Sequence, residues 1–170
     1  MTRSDKKSPT ASDESGENPV GMVEEFAIEN DWNSDRVNEH ELWAEMPSSW
    51  GSYRLWVVFH EESEFLQFNC YLNIKIPPRM QSQLAEAISL INERIWLGHF
   101  EIWGEELVPL VRVVLPLRGS RLTQEQLEDV MDALDHEANR FFPAFQWIIW
   151  GGKSVEDAVS AALVDTEGEA

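Results

Sequence analysis

The chain has 170 residues and a single cysteine, Cys70, so one domain is expected and no disulfide can close within it. Its 13 basic residues face 31 acidic ones, and the resulting charge of −18 repels nucleic acid, whose binding needs cations to neutralise phosphates. No apolar run nears the roughly 20 residues of a membrane span, and the opening MTRSDKKSPTASDESGENP lacks the apolar core of a secretory signal. A reducing, cytoplasmic location is therefore expected, with no nucleic-acid or membrane partner.

Residues 1–18 and 164–170 are polar and charged, and are expected to be disordered tails around a single domain over 19–163. Pro19 opens a short helix to about Asp31, with Val20, Val23, Phe26 and Ala27 on one stripe. From Val37 to Met46 the period shortens to two, and Leu42, Ala44 and Met46 alternate with Glu41, Trp43 and Glu45. Pro47 to Ser52 is a turn cluster. Tyr53 to His60 reads as a second strand, rich in aromatic and β-branched residues, with both of its stripes candidates for the core. After the polar loop Glu61 to Glu64, Phe65 to Ile76 reads as a third strand. It places Leu66, Phe68, Cys70, Leu72, Ile74 and Ile76 on one face.

Pro77-Pro78 ends that strand and opens a helix on which Met80, Leu84, Ile88, Ile91 and Ile95 share a face, stopped by Gly98. Strands over His99–Trp103 and Leu107–Leu117 follow, joined by Gly104-Glu105-Glu106. Thr123 caps the last long helix, and Gln126 completes a capping box. Pro143 lies within its apolar stripe and predicts a kink or break near residues 139–143. Gly151-Gly152 ends it, and Val155 to Leu163 can form one more short helix.

The order α-β-β-β-α-β-β-α predicts an α+β fold, an antiparallel sheet of about five strands with helices packed on one face. With that order, the acidic composition and the segments WGSYRLWVVFHEES, FLQFNCYLNIKIP and FFPAFQWIIWGG, the chain resembles the YbjN family of bacterial sensory transduction regulators over about residues 19–155. The resemblance implies a fold like that of type III secretion chaperones, which are dimers that hold partly unfolded proteins. A homodimer is accordingly implied, and no functional residue is carried across.

Chemistry-bearing patterns are sparse. His40, His60, His99 and His136 form no HxH, HxxxH or HExxH pair, and Cys70 has no second thiol, so neither a metal nor another cofactor is expected. On its strand Cys70 falls inward, where desolvation disfavours a thiolate. Glu101 and Glu105-Glu106 border Trp103 and are the nearest thing to an acid/base pair, the basis of an alternative reading as a hydrolase-type enzyme. Neither GxGxxG nor GxxxxGK[ST] occurs.

The surplus of aromatics, eight tryptophans among them, is the more informative feature. If the Phe68 stripe faces the helices, Trp43, Tyr71 and Trp103 lie on the opposite sheet face, where an antiparallel sheet is ordinarily polar. Such a patch marks a protein interface, unless the C-terminal segment with Trp147 and Trp150 folds over it. The expectation is a non-enzymatic protein-binding module, chaperone-like or regulatory, acting on a partner protein as a homodimer.

Overall fold

Residues of period two build six strands, one more than expected: β1 (Ser34–Asn38), β2 (Glu41–Ser48), β3 (Gly51–His60), β4 (Phe65–Tyr71), β5 (His99–Trp103) and β6 (Val108–Pro116). The computed structural model describes residues 18–165 apart from Glu105; the expected tails over 1–17 and 166–170 lie outside the described residues. All six strands join one antiparallel sheet in the order β1-β2-β3-β4-β6-β5. The additional strand arises because the segment around Val37 folds back at Asn38. Asn38 Oδ1 accepts the His40 N–H at 2.8 Å, while Arg36 donates to the carbonyls of Asn38 and Glu39 at 2.6 and 2.8 Å. Side chains hydrogen-bond the main chain of this turn, a device that hydrophobic alternation does not reveal.

Four helices cover one face: α1 (Pro19–Glu29), α2 (Gln81–Asn92), α3 (Gln124–Ile149) and α4 (Val155–Asp165). Asn18 caps α1 by accepting the Val20 N–H at 2.9 Å, and the expected capping box of Thr123 and Gln126 starts α3. Between sheet and helices lies one core in which Leu42, Leu55, Phe68, Val111, Phe141 and Phe145 are wholly enclosed. α4 packs on α3 and α2.

Strand β4 stops at Tyr71, five residues short of the Ile76 expected from its alternation. The cause is Pro109 of β6, which stands opposite Leu72. Leu72 donates its N–H to Pro109 O at 3.0 Å, but Pro109 has no N–H to return. The Leu72 carbonyl instead takes the Ile74 N–H at 2.8 Å, and the chain leaves the ladder. Leu72, Ile74 and Ile76 stay buried in the expected phase nonetheless.

Helix α2 ends at Asn92, before Ile95 and Gly98. Gly98 has φ +79°, and a Cβ there would meet the Arg112 carbonyl oxygen at 2.5 Å, so only glycine fits this entry to β5. Asn92 closes the helix onto the sheet: its Nδ2 donates to Phe100 O at 3.0 Å, and its Oδ1 accepts the Phe100 N–H at 2.7 Å.

A kink or break was expected near residues 139–143; helix α3 runs through Pro143 without a break. Proline removes the N–H that would serve the carbonyl of Asn139. Trp50, in the tight β2–β3 turn, supplies the replacement: its Nε1–H donates to Asn139 O at 3.3 Å while its ring stacks on Phe142 at 5.5 Å. The Asn139 side chain holds the same turn, accepting from Ser49 N at 3.3 Å and from the Tyr53 hydroxyl at 3.2 Å.

Candidate functional site

Alternation on each strand decides what the outer face presents. With Leu42, Ala44 and Met46 directed to the helices, Trp43 points away from them. On β3, Tyr53, Leu55 and Val57 are buried, which sends Arg54, Trp56 and Val58 outward. Cross-strand register then sets Trp43 opposite Trp56, and the two indoles stack at 5.5 Å and 12°. Tyr71, beside Arg54 in the register of β3 and β4, lies 5.8 Å from Trp43. Trp103 of β5 meets Tyr71 and Trp56 edge-on at 5.9 and 6.2 Å. The structure thus brings Trp43, Tyr71 and Trp103 into one cluster and adds Trp56, whose stripe the sequence left undecided. Contact between Trp103 and the other rings crosses the sheet above Leu110 of β6, which is fully buried on this face.

The cluster forms the floor of a cavity of about 560 Å³ at the end of the sheet where β4 leaves the ladder. Arg54 lies over the Trp43 ring at 4.5 Å, a cation–π contact that holds its guanidinium at the rim. Lys75, Glu45 and Glu106 complete that rim. Burial pushes the Tyr71 hydroxyl above its usual pKa, so it remains a protonated donor at neutral pH.

Next to the aromatic floor the face is polar and fully engaged. Trp56 Nε1 donates to Glu41 at 2.8 Å. Asn69, fully buried, accepts from Arg112 Nε and from Gln67, both at 2.9 Å, and donates to Trp56 O at 3.2 Å. Arg112 continues to Glu101 at 2.6 Å, and His99 lies 3.5 Å from the same carboxylate. Among the described residues the C-terminal segment does not cover this face: Trp147 packs against the core and Trp150 is 67% exposed.

The groups named as alternatives for chemistry do not converge. Glu101 is held by Arg112 and His99, Glu106 stands exposed at the rim, and Glu105 lies outside the described residues. His40 meets Glu61 at 3.6 Å and His60 stacks on Phe65. Cys70 is fully buried, and desolvation, with a smaller contribution from Asp135, pushes its thiol well above the usual pKa. Among the described residues no three His, Cys, Asp or Glu side chains gather as a metal would require, and no helix is long and apolar enough to cross a membrane.

Residues 19–147 match the family described as "YbjN: Putative bacterial sensory transduction regulator". Among solved structures the chain is similar to "Crystal structure of YbjN, a putative transcription regulator from E. coli", with 14% identity and a TM-score of 0.52. That match covers 71% of this chain and 85% of the other, and at this identity it speaks for the fold. No curated protein matches the chain. The element order, the sheet and the extent of the family match agree, and the chain belongs to the YbjN family.

Proposed function

We infer that the chain is a non-enzymatic regulatory module of the cytoplasm that engages other proteins, a second copy of itself included, through the outer face of its sheet. The observation that carries this reading is the cluster of Trp43, Trp56, Tyr71 and Trp103 on a face that the described part of the C-terminal segment leaves open. Tryptophan and tyrosine concentrate binding energy at protein interfaces. Fully burying one large apolar side chain contributes about 1.5–3 kcal/mol before the costs of association. The four rings are already half-buried, so each gains about half of that, roughly 0.75–1.5 kcal/mol, and four from each of two copies contribute roughly 6–12 kcal/mol against those costs. The family description, a regulator rather than an enzyme, supports the same reading, as does the likeness to dimeric secretion chaperones drawn from the sequence.

Sedimentation of the full chain at several protein and salt concentrations tests it. Two copies of charge −18 repel, and salt screens exposed charges beyond about 8–10 Å, so dimers should strengthen from low to moderate salt. Trp43→Ala and Trp103→Ala should each weaken them at least tenfold. A strictly monomeric chain at tens of micromolar and physiological salt would sink the homodimer, and dimers indifferent to both substitutions would remove this face from the contact.

A further inference from the structure

The cavity beside the aromatic floor has a wall of main chain as well as a floor of rings. In an antiparallel strand, successive residues direct their N–H and C=O alternately to the two neighbours. Phe59 donates its N–H to His40 O on the β2 side, so Tyr53, Leu55 and Val57 face β2, whereas Ser52, Arg54 and Trp56 face β4. Leu72 donates to Pro109 O and Leu117 donates to Glu64 O, so even-numbered residues of β4 face β6, and Tyr71 and Asn73 face β3. Pairing of β3 with β4 ends at Arg54 and Tyr71. Ser52 and Asn73 would be the next facing pair in that register, yet no main-chain hydrogen bond joins them. Pro109 has diverted the chain at Leu72, and the two strands part like an opened seam.

Both Ser52 and Asn73 are exposed, and both line the cavity together with Trp43, Trp56, Tyr71 and Trp103. Their unpaired donors and acceptors therefore border the same space as the rings. Among the described residues the rim carries Glu45 and Glu106 against Arg54 and Lys75, a balanced set within a chain of charge −18. This is a neutral window in an acidic protein, and it selects neither a free anion nor a free cation. An apolar small molecule would cover the floor and leave the main-chain groups unmatched. An extended polypeptide supplies both parts, donors and acceptors at strand spacing and a side chain perpendicular to them.

We propose that this opened seam is a docking site for one extended, uncharged peptide segment of a partner protein, whose main chain pairs with Ser52 and Asn73. One large apolar side chain of the segment lies on the rings of Trp43, Trp56, Tyr71 and Trp103. The proposal rests on the outer face being a protein-binding surface, and it specifies what that surface reads.

The test uses the full chain labelled with nitrogen-15, diluted until sedimentation shows monomer, and the peptide acetyl-Thr-Val-Phe-Val-Thr-amide. On titration the amide signals of Ser52 and Asn73 and the indole signals of Trp43, Trp56 and Trp103 should shift together and saturate. Versions N-methylated at each position in turn keep the side chains and lose one N–H, and methylation at a pairing position should weaken binding tenfold or more. Trp103→Ala should weaken the parent peptide similarly while Ser52 and Asn73 keep their unbound signals. No shift at millimolar peptide overturns the proposal, as does binding that no N-methylation weakens, which is apolar capture alone. Shifts that follow protein concentration but not peptide make the second copy the occupant and also overturn it. A peptide that fails to bind beside a dimer that sediments normally rejects the seam and leaves the broader protein-binding reading intact.

Discussion

Replacing Pro143 by alanine tests whether Trp50 substitutes for a missing helix donor. Proline inside a helix costs about 3 kcal/mol relative to alanine, part of it the lost bond to the carbonyl four residues back. Here that carbonyl, Asn139 O, already receives the Trp50 indole N–H at 3.3 Å. A neutral hydrogen bond contributes about 1 kcal/mol net, so that share is not recovered. The half-buried ring also leaves with its two extra methylenes. At about 0.8 kcal/mol for each buried methylene, half burial loses roughly 0.8 kcal/mol in total. Pro143→Ala should therefore gain about 1 kcal/mol and raise the melting temperature by about 2–4 °C for a chain of this size. Trp50→Phe keeps the stack on Phe142 and removes only the N–H. It should cost about 1 kcal/mol alone and little in the Pro143→Ala background, where a helix N–H fills the carbonyl. Urea unfolding followed by circular dichroism measures all four corners of the cycle. Equal costs of Trp50→Phe in both backgrounds, or a loss of stability in Pro143→Ala, would refute the compensation.

Glu137 is 3% exposed, and its Oε2 has no hydrogen-bond partner. Burial raises its pKa, with His136 and Arg140 pulling the other way. The folded state thus holds this proton more tightly than the unfolded state, and the stability it contributes is lost as pH rises out of the ordinary carboxylate range. Glu137→Gln should match the native chain near the ordinary carboxylate pKa and exceed its melting temperature increasingly toward neutrality; a pH-independent difference counts against the assignment. Cys70, fully enclosed with its thiol pushed up in pKa, should react with a thiol reagent only as fast as the chain unfolds. Prompt stoichiometric labelling of the native protein would contradict the inward phase of β4. Pro109→Val supplies an N–H opposite Leu72 O, the carbonyl that now takes the Ile74 N–H, and should extend the β4–β6 ladder. Slowed hydrogen exchange at position 109 and a gain of about 1 kcal/mol are expected, and an amide there that exchanges freely would show that something other than the proline turns the chain.

The α+β class, the helical face of the sheet and the inward phase of Leu66, Phe68 and Cys70 were legible because burial imposes a period on the sequence. The same logic placed Trp43, Tyr71 and Trp103 together, since each alternates with a residue that has to be inside. Trp56 escaped because both stripes of β3 are apolar and period alone does not choose between them. What period cannot show is which hydrogen bonds a side chain or a proline adds or removes. The turn at Asn38 is held by Arg36 and Asn38 side chains, and it split one expected strand into two. Pro109 ended β4 from a neighbouring strand almost forty residues away in sequence, and Trp50 let α3 continue through Pro143. The last two are contacts between segments remote in the chain, invisible to any local window, and the first is local but made by side chains that period does not read.

The Asn92 amide on Phe100 bears on how copies of this protein can meet. β5 has no strand on its far side, and such a border invites strand-by-strand growth, which has no natural end and leads to fibres. Asn92 occupies the position a neighbouring strand would take, filling both main-chain groups of Phe100. Only Ile102 keeps outward-facing groups on that border before the chain turns at Gly104, too short a stretch for a ladder. The other border, β1, is five residues long and displays Asp35 and Arg36, with Arg36 tied to Glu24 of α1 at 2.9 Å. Both borders are guarded, one by an amide and one by charge on a short strand, and each discourages a second copy from adding strand by strand.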